Sequence, residues 1–112
     1  MADQASSVKD IFERHMPARL KSKPDLVTKI NAVYQFNISG PGGGQWAVDC
    51  ATPGGLVTAG TVPAAKCTVA CVDADFLNIV NGKLNAQMAF MMGKLKIQGD
   101  MGLALKLAQL LG

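Results

Sequence analysis

The sequence has few of the residue types from which catalytic centres are built. It contains a single histidine, His15, and only 17% of its 112 residues are charged. One histidine excludes any catalytic site that requires two, and we interpret His15 as a structural residue on a helix rather than as a general base. We therefore expect no enzyme activity, no catalytic residue, no cofactor and no bound metal ion.

Long apolar runs are also missing. No stretch of about 18 apolar residues occurs, so the sequence predicts no membrane-spanning helix. Residues 1–7 are mostly polar and charged residues follow soon after, which is not the pattern of a secretory signal. The three cysteines, Cys50, Cys67 and Cys71, cannot all pair within one chain. Such an odd count is typical of a reducing compartment, so we expect an intracellular protein whose thiols pack as small apolar groups.

Apolar residues, in contrast, are plentiful. Hydrophobic residues make up 49% of the sequence, and the mean hydropathy is +0.21. A chain of this length has enough apolar surface to bury one core and too few residues for two. We therefore expect a single domain over residues 1–112.

The net charge of +3 comes from the C-terminal part of the chain. Up to Gly82 the acidic and basic residues balance, and beyond it Asp100 is the only acid beside four lysines. This is too little basic charge for a nucleic-acid-binding surface, so we expect no nucleic-acid partner. It is compatible with transient contact with anionic membranes. The four lysines are Lys83, Lys94, Lys96 and Lys106.

The hydrophobic spacing predicts helices at both ends of the chain and strands between them. A first helix is predicted over 7–20, where Pro17 should end or kink it near His15, and a short helical turn should begin at Pro24. Asp73 or Asp75 should cap a helix in the second half of the chain. Two further helices follow, predicted over 86–92 with Asn85 as its cap and over 101–111 with Asp100 as its cap.

Apolar and polar residues alternate over 30–39 and again over 45–51, on either side of a glycine-rich turn. This pattern predicts an antiparallel hairpin. Further strands are predicted over 56–62, 67–71 and 94–98, so the fold class is α+β with helices on one face of the sheet. The connection of about twenty residues before the last strand is long enough for a crossover, which would make that strand parallel to its neighbour.

The last helix is more apolar than one sheet face requires. Lys106 and Gln109 are its only interior polar residues, although a helix that covers a sheet needs an apolar arc of only about 100°. Three explanations are open: the helix is wedged between other elements, it packs in a dimer, or it closes and lines an internal cavity.

Methionine favours the cavity. Four of the six methionines fall within fourteen residues, together with Phe90. Methionine specifies a rigid core poorly, but its flexible, polarizable side chain adapts to apolar ligands of varied shape. The clustered methionines are Met88, Met91, Met92 and Met101.

Residues 85–107 resemble the C-terminal signature of the sterol carrier protein type 2 (SCP-2) domain family. The matching pattern is Asn-x-Gln-x-Ala-Phe, a glycine, Lys-Leu-Lys-Ile-x-Gly, and then Met-Gly-Leu-Ala-x-Lys-Leu. Trp-Ala-Val-Asp at 46–49 and Cys-Thr-Val at 67–69 extend the resemblance upstream. It implies a five-stranded, mainly antiparallel sheet covered by about four to five helices, enclosing a hydrophobic lipid tunnel.

The resemblance also implies a function. Such non-specific lipid-transfer domains bind fatty acids, fatty acyl-CoA, sterols or phospholipids and transfer them between membranes or to enzymes, and we expect a monomer. The alternative is a substrate-presenting accessory domain of a peroxisomal β-oxidation enzyme. On the matching positions and the apolar helices, the expected lipid-binding residues are Trp46, Gln87, Met88, Phe90, Met91, Met101, Leu105 and Leu107.

Two departures from the family pattern stand out. Ala86 replaces a common proline, which affects only the start of a helix. The chain stops at Leu110, Leu111 and Gly112, whereas many members end in a small-basic-Leu peroxisomal signal. The resemblance therefore implies a peroxisomal location, and the ending leaves a cytosolic one as the alternative.

Overall fold

The computed structural model describes residues 4–63 and 65–111. Its elements follow in the order α1 (Val8–Asp10), a π-helical turn (Ile11–His15), α2 (Met16–Ser22), α3 (Pro24–Ile30), β1 (Val33–Ser39), β2 (Gly44–Asp49), β3 (Leu56–Ala59), β4 (Cys67–Val72), α4 (Asp73–Val80), α5 (Ala86–Met91), β5 (Leu95–Gly99) and α6 (Met101–Leu111).

The first helix continues through His15 instead of ending there. The amide of Met16 donates to the carbonyl of Ile11, five residues back, which widens the helix by one residue. Pro17 then lies in the first turn of α2, where the lack of an N–H matters least. The expected break is therefore a π-helical turn. The predicted helix start at Pro24 is confirmed.

The five strands form one sheet in the order β3-β2-β1-β4-β5. The predicted hairpin of β1 and β2 is antiparallel, with Phe36 opposite Trp46. The crossover prediction was wrong, because β5 runs antiparallel to β4, and β1 and β4 form the parallel pair. The connection from β4 to β5 contains two helices, so it does not act as a single crossover helix, and the chain crosses over between β1 and β4 instead.

Three strands are shorter than predicted, β1 and β3 by three residues each and β2 by one. Asn31 has a left-handed backbone and ends α3, so β1 starts at Val33. Strand β3 ends at Ala59, because the chain then turns to meet the buried side chain of Gln35. Its amide nitrogen donates to the carbonyl of Gly60 at 3.1 Å, and its oxygen accepts from the amide of Val62 at 2.9 Å. Buried polar groups need such partners, and these two bonds hold the segment that follows β3 against Gln35.

The core lies between the sheet and the helices. Tyr34, Phe36 and Ile38 on β1 are buried, and they alternate with more polar residues as predicted. Phe12 of the π-helical turn packs on this face, with its ring centroid 5.3 Å from that of Phe36. It also stacks on the ring of Phe76 from α4, at 5.5 Å between centroids. Aromatic packing thus fastens the N-terminal helices and α4 to the centre of the sheet.

The helix caps match the predictions in two of three cases. The carboxylate of Asp100 accepts from the amide of Gly102 at 2.8 Å, and the side chain of Asn85 accepts from the amide of Gln87 at 2.9 Å. For α4 the prediction was wrong, since the N-cap is Val72, whose side chain makes no hydrogen bond to the helix. Asp73 instead accepts from the amide of Gly42 at 2.9 Å and anchors the turn of the hairpin.

Candidate functional site

An apolar cavity of about 250 Å³ lies between α5, β5 and α6. We call it the apolar cavity. Leu95 and Ile97 of β5 form its floor, and Ala104 and Ala108 of α6 form part of one wall. Gln87 contributes the single polar side chain among the described residues that line it. Six of the eight expected binding residues line this space: Gln87, Phe90, Met91, Met101, Leu105 and Leu107.

The two faces of α6 explain its excess of apolar residues. Leu103, Leu107 and Leu110 are buried against the rest of the fold. Leu105 is 69% exposed and still borders the apolar cavity, as does Met101. The cavity is therefore open to solvent along this helix. Among the three explanations for the apolar helix, the structure supports the one in which α6 lines a cavity.

Six exposed large apolar side chains lie on or just after α5 and along α6, and four of the six also line the apolar cavity. Met91 is 83% exposed, and the exposed fractions of the other five side chains range from 42% to 69%. Contiguous exposed apolar side chains are uncommon on proteins that bind nothing. We call this group the methionine rim, and its members are Met88, Phe90, Met91, Met92, Met101 and Leu105.

Backbone geometry fixes the start of α6. Gly99 has φ +108, and a Cβ atom there would collide with the carbonyl oxygen of Lys66, so only glycine fits this turn between β5 and α6. The amide of Asp100 donates to that same carbonyl at 3.1 Å. One turn later the buried hydroxyl of Tyr34 donates to the carbonyl of Leu103 at 2.6 Å. The helix that walls the cavity is thus fastened to the sheet near its beginning.

Arg19 of α2 holds the other end of α6. Its guanidinium donates to the carbonyls of Leu110, at 3.3 Å, and of Leu111. It also donates to the carbonyl of Val80 at 3.1 Å, at the end of α4. These carbonyls belong to the last turns of α4 and α6, so they have no hydrogen-bond donor within their own helix. A cation is favoured at this end of a helix. Burial lowers the pKa of Arg19, which as an arginine keeps its charge. Sequence analysis missed this residue, because the contacts join positions 61 to 92 residues apart.

Two expected residues lie outside the apolar cavity. Trp46 is on β2, where its ring stacks on Phe12 with 5.2 Å between centroids and 9° between planes. It supports the N-terminal helices rather than the cavity wall. Met88 belongs to the methionine rim but does not line the cavity. These two residues therefore lie outside the lining of the apolar cavity, and their part in lipid binding stays a prediction.

A second cavity, of about 460 Å³, adjoins the first. It lies between the turn after α4, the start of α5 and the end of α6, and we call it the polar cavity. Asn85 and Gln109 line it, together with Leu84. It shares Gln87 with the apolar cavity, as well as the two alanines at positions 86 and 108.

Two of the four C-terminal lysines have partners within the fold. The amine of Lys94 is 4.0 Å from the carboxylate of Asp75, and the amine of Lys106 donates to the carbonyl of Lys29 at 3.3 Å. Lys83 and Lys96 are exposed. Two of the four lysines that were expected to contact anionic lipid therefore interact with groups of the protein itself.

The residues with the greatest chemical reactivity are not assembled into a site. His15 lies 3.5 Å from the carboxylate of Asp10. Hydrogen bonds from Arg14 and from the amide of Ser6 hold the pKa of Asp10 well below its usual range. All three cysteines are buried and lie outside the lining of both cavities. Within residues 4–63 and 65–111, no group of three or more His, Cys, Asp or Glu side chains could hold a metal ion.

The helices of the described part of the chain are too short or too polar to cross a bilayer. Together, the fold and the cavities define a small α+β domain with an open apolar binding cavity and no assembled reactive centre among its described residues.

Comparison with known families agrees with this class. Residues 12–112 match the family described as the SCP-2 sterol transfer family. This match covers most of the sequence, so the chain belongs to the SCP-2 sterol transfer family. The family resemblance of residues 85–107 and the five-stranded, mostly antiparallel α+β fold are therefore confirmed.

Curated relatives are longer than this chain. Human sterol carrier protein 2 is 45% identical over 88 residues, which cover 76% of this chain and 16% of that protein. Peroxisomal multifunctional enzyme A of Dictyostelium discoideum is 47% identical over 91 residues, which cover 78% of this chain and 20% of the enzyme. The chain thus spans between one sixth and one fifth of the length of these relatives.

Solved structures show the same fold. Sterol carrier protein 2 of Yarrowia lipolytica, in its apo form, has a TM-score of 0.74 and 30% identity, over 99% of this chain and 93% of that one. The palmitated sterol carrier protein 2-like 2 of Aedes aegypti has a TM-score of 0.66 and 28% identity, over 88% of this chain and 93% of that one.

Proposed function

We propose that this chain is a lipid carrier that takes the apolar part of its ligand into the cavity between α5, β5 and α6. The ligand classes are fatty acids, fatty acyl-CoA, sterols and phospholipids, which the carrier transfers between membranes or delivers to enzymes. The observation that carries the proposal is the apolar cavity with its single lining glutamine, Gln87, among the described residues.

The physical basis of affinity is burial of the ligand chain. Removing apolar surface from water contributes about 25 cal/mol per Å², so an acyl chain in this cavity gains several kcal/mol before the costs of binding. The methionine rim gains as well, because a bound chain covers side chains that are otherwise exposed. The palmitated state of the Aedes aegypti relative supports this ligand class.

Titration of delipidated protein with a fluorescent fatty acid tests the proposal. We expect saturable binding, and we expect Leu105→Glu to weaken it at least about tenfold, because a carboxylate in the apolar cavity opposes burial of the chain. Leu56→Glu is the matched control, since Leu56 is also exposed but lies on β3, far from the cavity lining. Absence of saturable binding, or equal affinity for Leu105→Glu and wild type, would overturn the proposal.

The carrier collects its ligand in a transient encounter with an anionic membrane. The methionine rim would enter the interface, and the exposed Lys83 and Lys96 would face the lipid head groups. We further propose that the protein acts as a monomer without catalytic turnover. Its location is intracellular, either in peroxisomes, as the name of the Dictyostelium discoideum relative suggests, or in the cytosol.

A second candidate is a substrate-presenting accessory domain of a peroxisomal β-oxidation enzyme. It is supported by the similarity to one fifth of peroxisomal multifunctional enzyme A. Stoichiometric copurification with a dehydrogenase or thiolase would favour this role. A lipid-loaded monomer in native mass spectrometry, with no enzyme bound, would favour the free carrier.

A further inference from the structure

The apolar cavity and the polar cavity meet at a boundary made of small side chains. Ala86 at the start of α5 and Ala108 on α6 line both spaces, and Gln87 lines both as well. Alanine side chains leave room between the two helices that larger residues would fill. The two cavities are therefore neighbours, with only short side chains and Gln87 common to both linings.

The two cavities differ in chemistry. Leucine, isoleucine, phenylalanine and methionine surround the apolar cavity, where Gln87 is the single polar side chain among the described residues. The polar cavity has Asn85 and Gln109 in its wall besides Gln87, together with the apolar Ile79 and Leu84. Within residues 4–63 and 65–111, the side-chain amide of Gln87 at the boundary has no hydrogen-bond partner. It is available to a polar group of the ligand.

Two lysines lie next to lining residues of the polar cavity, one through a hydrogen bond and one along the chain. Among the described residues that line it there is no carboxylate. The amine of Lys23 lies 2.8 Å from the carbonyl of Gln109, and Lys83 stands between the lining residues Gly82 and Leu84 in the chain. Cations nearby favour an anionic or neutral group and oppose a cationic one.

We infer that the polar cavity receives the head group of an amphiphile whose hydrocarbon chain lies in the apolar cavity, and that this head group is anionic or uncharged. The inference rests on the proposed carrier function, and it adds the orientation of the ligand in the two cavities and the charge of its head group. The volumes are consistent with it, because the apolar cavity alone falls below the roughly 300–1,000 Å³ of most ligand pockets and the two together fall within that range.

Two nitroxide-labelled stearic acids test the direction by NMR. With the nitroxide beside the carboxylate, we expect strong line broadening at the amides of Leu84 and Gln109. With the nitroxide at the chain end, we expect it at Ile97 and Met101. The reverse pattern, or the same pattern for both labels, would overturn the inference while leaving the carrier function intact. No broadening with either label would overturn the carrier function itself.

Displacement titrations test the class of head group. Dodecanoic acid and 1-dodecanol should displace a fluorescent fatty acid, and dodecylammonium should do so about fivefold more weakly. The factor of about five is what one exposed charge interaction changes in an affinity. Equal or tighter binding of dodecylammonium would contradict the inference.

A glutamine pair provides the matched variants. Gln87→Leu should weaken dodecanoic acid about fivefold, the usual effect of one lost hydrogen bond. Gln98→Leu should leave it unchanged, because Gln98 is exposed on β5 and lines neither cavity. Unchanged affinity in Gln87→Leu would show that the Gln87 side chain does not bond to the ligand, and it would overturn that part of the inference.

Discussion

The hydroxyl of Tyr34 donates a hydrogen bond of 2.6 Å to the main-chain carbonyl of Leu103. It joins the central strand of the sheet to the helix that walls the apolar cavity, and Tyr34 is fully buried. Tyr34→Phe removes this one bond and leaves a carbonyl without it. We expect a loss of about 1–2 kcal/mol in the free energy of unfolding, measured by urea denaturation. Ser22→Ala, which removes an exposed hydroxyl bond to the carbonyl of Arg19, is the control and should change it by less than about 0.5 kcal/mol.

Arg19 should matter more than Arg14, although both arginines lie in the N-terminal helical region. Arg19→Met removes charged hydrogen bonds to the ends of α4 and α6, and we expect a loss of about 2–3 kcal/mol in unfolding free energy. Arg14 pairs with Asp10 at the surface, so Arg14→Met should cost at most about 1 kcal/mol. Thermal or urea unfolding of the two variants gives the comparison. Equal losses would show that Arg19 does not hold the two helix ends.

Leu110 and Leu105 lie on the same helix and separate stability from binding. Leu110 is 0% exposed and lines neither cavity, so Leu110→Ala should cost about 2–5 kcal/mol in unfolding free energy. Leu105→Ala should cost less than about 0.5 kcal/mol, because the side chain is largely exposed, yet it should weaken fatty-acid binding. A large stability loss in Leu105→Ala would mean that this side chain packs in the core instead.

The methionine rim should be visible to peroxide. In hydrogen peroxide the thioether sulfur takes one oxygen and water is released, and accessible methionines react first. Peptide mass spectrometry should find Met91 and Met101 oxidised well before Met16, which is 0% exposed. Prior loading with a fatty acid should slow oxidation of Met91 and Met101, which line the apolar cavity. Equal rates with and without lipid would place the ligand elsewhere.

The cysteines should react slowly in the native protein. Burial raises the pKa of Cys50 and Cys71 to about 11, and it also raises the pKa of Cys67. At pH 8 the thiols are therefore protonated and covered, and alkylation by iodoacetamide should be much slower than in urea. Fast alkylation in the native state would contradict the burial of these side chains.

The same thiols predict a loss of stability in alkaline solution. An unfolded thiol ionises near its ordinary pKa of 9.0, whereas folded Cys50 and Cys71 stay protonated up to about 11. Their contribution to stability is complete below the lower value and is lost as the pH rises towards the higher one. We expect the unfolding free energy to fall across this window, and to fall less in a Cys50→Ala, Cys71→Ala double variant.

Local patterns in the sequence determined most of the secondary structure. Alternation over 30–39 predicted which side chains of β1 face the core, since residues two apart on a strand share a face. Asn85 and Asp100 identified the starts of α5 and α6, because a cap acts on amides only two or three residues away. The apolar excess of α6 left three explanations open, and the neighbouring methionines favoured the one in which the helix borders a cavity.

Contacts between distant residues decided the rest. The direction of β5, the place of Trp46 against Phe12, and the clamp of Arg19 on two helix ends each depend on which elements meet in space. No spacing within a single segment carries that information. The sequence by itself determined most of the elements, the caps of α5 and α6 and the apolar character of the last helix, because these depend on near neighbours. Only the tertiary structure decided which of the expected side chains line the cavity and which lie elsewhere, because the lining depends on packing among α5, β5 and α6.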